Sequence, residues 1–313
     1  MCTDCLSCQA LSKTYGRRTA LCGVTFAVAP GRITGLLGPN GSGKTTAINC
    51  MLSLLTFDKG EIFLFGKPMS ETAYDLKRQI GVVFQNAAVF QELTVWENID
   101  YFCGLYIRNR QQRNEYVSEA LEFSGLEEYR KFYPQKLSGG LLRRLNIACG
   151  IAHKPKLIFM DEPTVAVDPQ SRNHILEGIR RLNREGATIV YTSHYMEEIE
   201  QLCSRIMIMD KGKPLAVGTK EELKGMIAAD EKIRMELPEL PDGVLKELQE
   251  LPCVRQAVFR DGNLDVRCRA NGFGMITILD LLKEQQIHPG RVYSEPPTLN
   301  DVFLAITGKE LRD

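Results

Sequence analysis

The sequence "GPNGSGKTT", from Gly38 to Thr46, decides the fold because it fits the pattern G-x-x-x-x-G-K-[S/T]. A stretch that reads as a strand precedes it, and a stretch that reads as a helix follows it. In such a turn, backbone N–H groups surround the phosphates of a nucleotide, and Lys44 bridges the β- and γ-phosphates. Thr45 offers its hydroxyl to Mg²⁺. The turn therefore predicts a nucleoside triphosphate and Mg²⁺ as ligands.

Two carboxylates follow a second apolar strand in "LIFMDEP". Adjacent residues at a strand end point in different directions, so Asp161 is expected to hold the metal while Glu162 polarises a water. Gln85 ends "GVVFQ", and its amide suits Mg²⁺ or the attacking water. His194 ends "TIVYTSH" and is able to donate to a γ-phosphate.

Strands alternate with helices along most of the chain, which predicts an α/β fold with a largely parallel sheet. Short strands before residue 36 predict an antiparallel N-terminal part. Apolar residues at three- and four-residue steps predict a helical insertion over about 86–145. We therefore place a nucleotide-binding domain at 5–223. Residues 224–313 predict a small α+β domain in which we find no catalytic constellation.

The composition limits the partners of this chain. Its 313 residues carry no formal net charge, whereas a dedicated nucleic-acid binder usually has a basic excess. No apolar run approaches the roughly 18 residues of a membrane span, and no basic segment followed by an apolar one marks a secretory signal. We expect a cytoplasmic protein that does not bind nucleic acid, and any membrane spans must come from another polypeptide.

Ten cysteines lie mostly in apolar sequence, which is typical of buried reduced thiols in the cytosol. Cys2, Cys5 and Cys8 recur every three residues, a spacing that suggests a metal or Fe–S site. A fourth thiolate at motif spacing is missing, and Leu6 and Cys8 alternate like the inward face of a strand. We therefore expect no metal cluster at these cysteines.

A second turn, "KLSGGLLRRL" from Lys136 to Leu145, also favours an anion. A serine and two glycines open what reads as a helix, so free backbone N–H groups and the positive end of the helix dipole face an anion there. The glycines leave room for the anion to come close to these N–H groups. With no phosphate-loop lysine and no metal ligand, this turn predicts half of a phosphate site.

These pieces, in this order, resemble the nucleotide-binding subunits of ABC transporters over about residues 5–223. The resemblance implies an ATPase that uses ATP and Mg²⁺. It implies that Tyr15 stacks on adenine and that the Walker A loop consists of Gly38, Pro39, Asn40, Gly41, Ser42, Gly43, Lys44, Thr45 and Thr46. It implies that Asp161 and Glu162 form the Walker B pair, with Glu162 as general base, and that the signature consists of Ser138, Gly139 and Gly140. Three single residues complete the set: Gln85 as the Q-loop glutamine, Asp168 as the D-loop aspartate and His194 as the switch histidine. The catalytic groups would then be Glu162, His194, Gln85 and Lys44, and the Mg²⁺ ligands Thr45, Gln85 and Asp161.

Two subunits of this family pack head to tail, so the resemblance implies a dimer in which the signature turn holds the partner's γ-phosphate. We expect a homodimer, and the alternative is a heterodimer with a similar subunit. The ending "EPPTLNDVFLAITGKEL" resembles export-type ATPases related to daunorubicin-resistance subunits. That ending implies a separate membrane permease, a drug, antibiotic or lipid-like cargo, and a peripheral position on the inner face of the cell membrane. We expect docking around Gln85 to Asp100, with Trp96 and Tyr101 involved; the alternative is that both are core residues of the insertion.

Two positions depart from the family pattern. Leu141 stands where many members have glutamine, and Val165 stands in "VAVD" where "SGLD" is commoner. Neither change removes a catalytic group, but both remove a polar contact available to a dimer.

Two other classes of protein remain as alternatives. A soluble ABC-type ATPase of DNA repair or translation usually carries a long coiled-coil insertion or two tandem cassettes, and this sequence shows neither. A simple P-loop kinase or GTPase would leave the signature turn and His194 without a role.

Overall fold

The structure is a computed structural model that describes residues 4–227, 231–268, 274–295 and 297–308. The chain divides into two compact units, of which the first ends at Thr219 and the second begins at Lys220. The sequence places the boundary between the two domains after residue 223.

The strands of the first unit are β1 (Leu6–Tyr15), β2 (Arg18–Val28), β3 (Ile33–Leu37), β4 (Lys59–Leu64), β5 (Lys67–Pro68), β6 (Ile80–Val83), β7 (Leu157–Asp161), β8 (Thr188–Ser193), β9 (Arg205–Asp210) and β10 (Lys213–Gly218). Its helices are α1 (Lys44–Met51), α2 (Tyr74–Lys77), α3 (Val95–Gly104), α4 (Arg110–Ser124), α5 (Gly139–Ile151), α6 (Pro169–Arg184) and α7 (Met196–Leu202).

The central sheet of the first unit has six strands in the order β10-β9-β3-β8-β7-β6. Neighbours are parallel except in the β9–β10 hairpin. Strands β3 and β7 are buried along their whole length, as their continuous apolar runs predict. The predicted α/β fold class is therefore confirmed. Because parallel strands end at one edge of a sheet, the loops after β3, β6, β7 and β8 meet there.

A second, antiparallel sheet in the order β2-β1-β4-β5 lies over helix α1. One apolar cluster joins both sheets and this helix, and it includes Leu11, Ile48 and Phe159. Each of these side chains is at most 1% exposed, and burial of one contributes about 1.5–3 kcal/mol. The cluster therefore fixes the helix that begins at the phosphate turn.

The predicted helical insertion consists of α3, α4 and the first part of α5. These helices share a separate apolar cluster that includes Val95, Ile99, Val117 and Leu145, all fully buried. Helix α3 begins with a capping box, in which Thr94 and Glu97 satisfy each other's backbone N–H groups. This segment thus has a core of its own.

The elements of the second unit are α8 (Lys220–Gly225), β11 (Glu231–Glu236), α9 (Asp242–Glu250), β12 (Val254–Arg260), β13 (Asn263–Cys268), α10 (Gly274–Glu284), β14 (Val292–Glu295) and α11 (Leu299–Thr307). From β11 to β14 the order is βαββαβ, and the antiparallel sheet has the strand order β12-β13-β11-β14. This is the split-βαβ, ferredoxin-like arrangement. It agrees with the α+β character expected from the sequence.

Candidate active site

A cleft of about 710 Å³ lies at the strand-end edge of the central sheet. Nine of the predicted site residues line it: Tyr15, Asn40, Gly41, Gly43, Lys44, Thr45, Thr46, Gln85 and Glu162. Five lining residues were not found by sequence reasoning: Arg18, Thr19, Ala20, Lys211 and Gly212. The structure thus gathers the phosphate turn, the aromatic, the glutamine and the second carboxylate into one cleft.

The phosphate turn requires glycine at two positions, Gly38 and Gly43. Gly43 has φ 106° and precedes helix α1 without any side-chain cap, so no side chain occupies the N–H groups of the first helical turn. A Cβ on Gly38 would lie 2.3 Å from the carbonyl oxygen of Met209. The turn is therefore built around backbone donors, which is the arrangement that binds phosphate at a helix N-terminus.

The β9–β10 turn supplies two of the five cleft residues that sequence reasoning missed, and the start of β2 supplies the other three. Gly212 N donates to the carbonyl oxygen of Ser42, and Cys22 N donates to the carbonyl oxygen of Gly212, both at 2.8 Å. These bonds hold Lys211 at the cleft although it lies far along the chain from the phosphate turn. No local motif marks Lys211, because only the strand order brings it to the site, whereas Arg18 pairs with Tyr15 at the β1–β2 turn.

Lys44 and Glu162 form a buried ion pair at the cleft. Lys44 Nζ lies 3.2 Å from Glu162 Oε1, and the two side chains are 4% and 6% exposed. The ammonium also donates to the carbonyl oxygens of Gly38 and Pro39, at 2.8 and 3.2 Å. A cation so fixed in the turn is placed to meet an anionic ligand.

Glu162 takes an uncommon backbone conformation. Its φ is 47°, in the left-handed region, and its N–H donates to Thr192 Oγ1 at 2.9 Å. Its Oε2 lies 3.1 Å from His194 Nδ1, so two buried partners hold the two carboxylate oxygens. Strain of this kind in a non-glycine residue is concentrated at functional sites. The geometry therefore brings together the predicted general base, the phosphate lysine and the switch histidine.

The predicted metal ligands present oxygen atoms, which Mg²⁺ prefers. Thr45 Oγ1 donates to Asp161 Oδ2 at 2.8 Å, and Thr192 Oγ1 donates to Asp161 Oδ1 at 2.6 Å. Gln85 lines the same cleft, but it does not end a strand as the sequence suggests, because β6 stops at Val83. The residues present fit a magnesium ion bound through Thr45 and Asp161.

The second anion turn lies elsewhere in the first unit, and none of its residues lines the cleft. Ser138 caps helix α5, with its Oγ accepting from Leu141 N at 3.3 Å. Asp168 caps helix α6 by accepting from Ser171 N at 2.9 Å, a bond that lowers the pKa of this carboxyl. A Cβ on Gly140 would lie 2.2 Å from Ser171 Oγ. The signature turn therefore packs directly against the cap that carries Asp168.

One departure from the family pattern, Leu141, has a local packing role in the structure. Leu141 is half-buried and packs against the apolar cluster of the helical segment. The carbonyl oxygen of Val165 accepts from Arg143 Nη2 at 3.5 Å. Its neighbour Ala166 has φ 58°, where a non-glycine residue costs about 1–2 kcal/mol. The "VAVD" loop is thus strained and is tied to helix α5.

The N-terminal cysteines lie only partly within the described residues, since Cys2 falls outside them. Cys5 and Cys8 are buried, and burial raises the pKa of Cys8 to about 12. These two thiols are protonated at neutral pH and belong to the apolar cluster under the antiparallel sheet. The absence of a metal cluster stays a prediction.

A buried carboxylate in helix α7, Glu198, also escaped sequence reasoning. Its Oε2 accepts hydrogen bonds from Thr164 Oγ1, Tyr191 OH and Ser193 Oγ, at 2.8, 2.8 and 2.9 Å. Its Oε1 lies 3.4 Å from Arg172 Nε. The side chain therefore joins β8, the loop after Glu162, α6 and α7. The only sequence signal is the spacing of "MEEIEQL", which places Glu198 beside buried Ile199.

Glu198→Ala is expected to lower the free energy of unfolding by about 3–5 kcal/mol, because it leaves three hydroxyls without their acceptor and Arg172 without its counter-charge. Urea unfolding followed by the fluorescence of Trp96, the single tryptophan, measures this in the first unit. The matched control is Glu197→Ala, since Glu197 is exposed and should change stability by no more than about 0.5 kcal/mol. Equal losses for both variants would contradict the role of Glu198.

The known proteins to which this chain is similar are ATP-binding proteins and cassettes of the ABC type. Residues 21–165 match the family "ABC transporter". The linearmycin resistance ATP-binding protein of Bacillus subtilis (strain 168) is 37% identical over 311 residues, which cover 98% of this chain and 100% of that protein. The daunorubicin resistance ATP-binding protein of Streptomyces coeruleorubidus is 33% identical, over 96% of this chain and 94% of that protein. A solved dimeric ATP-binding cassette, in a post-hydrolysis state bound to ADP and Pi, aligns with a TM-score of 0.63 and 27% identity, over 68% of this chain and 98% of that one.

Proposed function

This chain belongs to the ABC transporter family of ATP-binding subunits and is an ATPase, and from that premise we propose that hydrolysis in the cleft powers an exporter. The observation that carries the proposal is the position of Glu162, with Lys44 at 3.2 Å and His194 at 3.1 Å. The test is Mg²⁺-dependent release of phosphate from ATP by the purified chain. Release no faster than that of a Lys44→Ala variant would contradict the proposal.

The mechanism uses the residues of the cleft in distinct roles. Lys44 and the backbone N–H groups of the turn bind the β- and γ-phosphates, and Tyr15, which is 49% exposed at the cleft, offers a face to the purine. Thr45 and Asp161, with Gln85, would hold Mg²⁺, which neutralises charge on the phosphate oxygens.

The chemical step is assigned to Glu162. Its carboxylate accepts a proton from water while the water oxygen bonds to the γ-phosphorus and the bond to the bridging oxygen of ADP breaks. His194 orients the carboxylate through the 3.1 Å contact and is able to donate to the γ-phosphate. The products are ADP, phosphate and a protonated Glu162, which returns its proton to solvent.

We further propose that the chain works as a head-to-tail homodimer. Ser138, Gly139 and Gly140 open helix α5, whose first turn carries no carboxylate, and none of them lines the chain's own cleft. Such a half-site is completed by the nucleotide of a second copy. ATP would then stabilise the closed dimer by binding it more tightly than the open one.

The proposed cargo class follows from the relatives. The two proteins compared above are named for resistance to linearmycin and to daunorubicin, and both cover nearly the whole chain. Export of a drug, antibiotic or lipid-like molecule is therefore proposed over DNA repair or translation. The longest helix in the described part of the chain has 16 residues, well short of a coiled-coil insertion.

A separate permease is the proposed membrane partner, with this chain on the inner face of the membrane. No helix among the described residues is both long and apolar enough to cross a bilayer. A groove of about 300 Å³ beside strand β6 offers a docking surface with exposed apolar side chains. Among its lining residues are Leu54, Phe84, Phe102, Leu105, Tyr106 and His153.

The groove differs in part from the docking surface expected from the sequence. Trp96 is half-buried against the helical cluster, with the Arg130 guanidinium 4.5 Å from its ring centre, which supports the core alternative for this residue. Tyr101 is 47% exposed and packs edge-on against Phe90 rather than lining the groove. Burial lowers the pKa of His153, so the ring at the groove floor is neutral at pH 7. We therefore propose the groove itself as the permease contact.

Leu105→Glu is expected to abolish co-purification with the proposed permease subunit, because it puts a charge in an apolar contact. Leu105 is 62% exposed, so folding and basal ATP hydrolysis should be kept. The matched control is Ile276→Glu, because the Ile276 side chain is 58% exposed and lies in the second unit. Unchanged co-purification of Leu105→Glu, or equal loss in both variants, would contradict docking in the groove.

A further inference from the structure

The loop that carries Gln85 is fastened by side chains of helix α5. Asn146 Nδ2 donates to the carbonyl oxygen of Phe84 at 3.0 Å, and its Oδ1 accepts from Ala88 N at 3.0 Å. Arg143 Nη1 donates to the carbonyl oxygens of Phe84, at 3.3 Å, and of Gln85. All of these bonds reach the main chain of the loop. They fix the backbone at Gln85 and leave its side chain free for the cleft.

Helix α5 is also the helix that opens with the signature turn. Ser138 is its N-cap, and Arg143 lies little more than one turn further along. One or two turns of helix are rigid, so the signature turn moves together with Arg143 and Asn146. It cannot shift relative to Gln85 unless the hydrogen bonds from these two side chains break. The signature turn and the Gln85 loop are therefore held as one body.

The same guanidinium reaches a third segment. Arg143 Nη2 lies 3.5 Å from the carbonyl oxygen of Val165, in the strained loop between Glu162 and Asp168. Arginine suits this position because its planar fork presents several donors in fixed directions, whereas lysine offers one compact charge. Arg143 thus bridges the loop that carries Gln85 and the loop that follows the proposed general base.

We propose that Arg143 is a positioning residue that couples Gln85 in the cleft to the signature turn and to the loop after Glu162. The proposal rests on the function proposed above. A ligand that draws Gln85 toward its phosphate moves the backbone that Arg143 grips, and helix α5 and Val165 follow. Arg143 does not line the cleft, so its effect passes through Gln85.

The neighbouring Arg144 provides a matched control on the same helix. Its Nη1 donates to the carbonyl oxygens of Ser124 and Gly125, at 3.1 and 3.5 Å, at the end of helix α4. Both arginines are half-buried and both bond to main-chain carbonyls. Only Arg143 reaches Gln85 and Val165, so a merely structural role would make the two substitutions behave alike.

The experiment is a double-mutant cycle with Gln85→Ala, measured as kcat at saturating Mg·ATP alongside the dissociation constant for a fluorescent ATP analogue. We expect Arg143→Met to lower kcat about tenfold, with nucleotide affinity kept, and to have no further effect in the Gln85→Ala background. The kcat of Arg143→Lys should lie between the kcat of Arg143→Met and that of the wild type. Arg144→Met should act additively with Gln85→Ala.

Additive effects of Arg143→Met and Gln85→Ala would overturn the proposal. So would an Arg143→Lys variant, properly folded by circular dichroism, with the full kcat of the wild type. Failure of the wild-type chain itself to hydrolyse ATP would instead contradict the proposed function, and the two failures are therefore distinguishable.

Discussion

Glu162→Gln is expected to lower the kcat for ATP hydrolysis by about 10²–10⁴-fold while ATP binding is kept. The amide has the size of the carboxylate and fills the same space, but it cannot take a proton from water. Lys44 Nζ, now 3.2 Å from the carboxylate, also loses a competing anion, so affinity for the triphosphate should stay equal or rise. A fall in kcat without a rise in the dissociation constant is the signature of a lost general base.

The measurement pairs steady-state phosphate release with equilibrium titration of a fluorescent ATP analogue. Asp161→Asn makes the same chemical change one residue earlier and serves as the contrast. Asp161 accepts from Thr45 and Thr192 rather than contacting His194, so its loss should weaken binding of Mg·ATP. If Glu162→Gln keeps more than about a tenth of the wild-type kcat, proton transfer must go to another group.

The parts of the site that were predictable from sequence are those whose chemistry is local to one turn. The Walker A glycines, the acidic pair at the end of β7 and the serine that caps α5 each show in a few adjacent residues, because backbone geometry or ligand chemistry demands particular residue types there. The α/β class followed from the same local patterns, since buried parallel strands read as continuous apolar runs.

The parts that escaped prediction depend on contacts between distant segments. Lys211 reaches the cleft only because the turn that holds it bonds to Ser42 and Cys22. Strand β6 ends at Val83, before Gln85, because the carbonyl oxygens at Phe84 and Gln85 pair with Arg143 and Asn146 instead of a neighbouring strand. Such pairings have no period and no motif, and they follow only from the packed fold.

Leu141 has a packing role that its departure from the family pattern does not reveal. The sequence predicts the loss of a polar contact across a dimer, which stays a prediction, and the side chain packs against the cluster of the helical segment. Its backbone N–H still donates to Ser138 Oγ, so the helix cap is intact. The donors that would meet a phosphate belong to the backbone and survive the change of side chain.

The two signature glycines are expected to separate a structural role from a role in holding a partner's phosphate. A Cβ on Gly140 would lie 2.2 Å from Ser171 Oγ and 2.9 Å from Asp168 Oδ2, so Gly140→Ala should cost about 1–3 kcal/mol of stability through overpacking. A Cβ on Gly139 meets nothing closer than the Ala166 carbonyl oxygen, at 4.0 Å, so Gly139→Ala should leave stability equal or slightly higher.

Gly139→Ala should nevertheless lower kcat by about 10²-fold if the turn binds a second copy's γ-phosphate, because the added methyl group blocks close approach to backbone donors. Light scattering tests this directly in the Glu162→Gln background, where ATP should double the mass of the chain. The added Gly139→Ala change should keep the mass at that of a monomer, as should Ser138→Arg. A stable Gly139→Ala chain that still doubles its mass and hydrolyses ATP at the wild-type rate would show that the open space beside Gly139 is ordinary surface. Because Gly139→Ala is expected to cost the isolated chain no stability, any loss of kcat or of dimer mass that it causes must come from a partner molecule or its nucleotide.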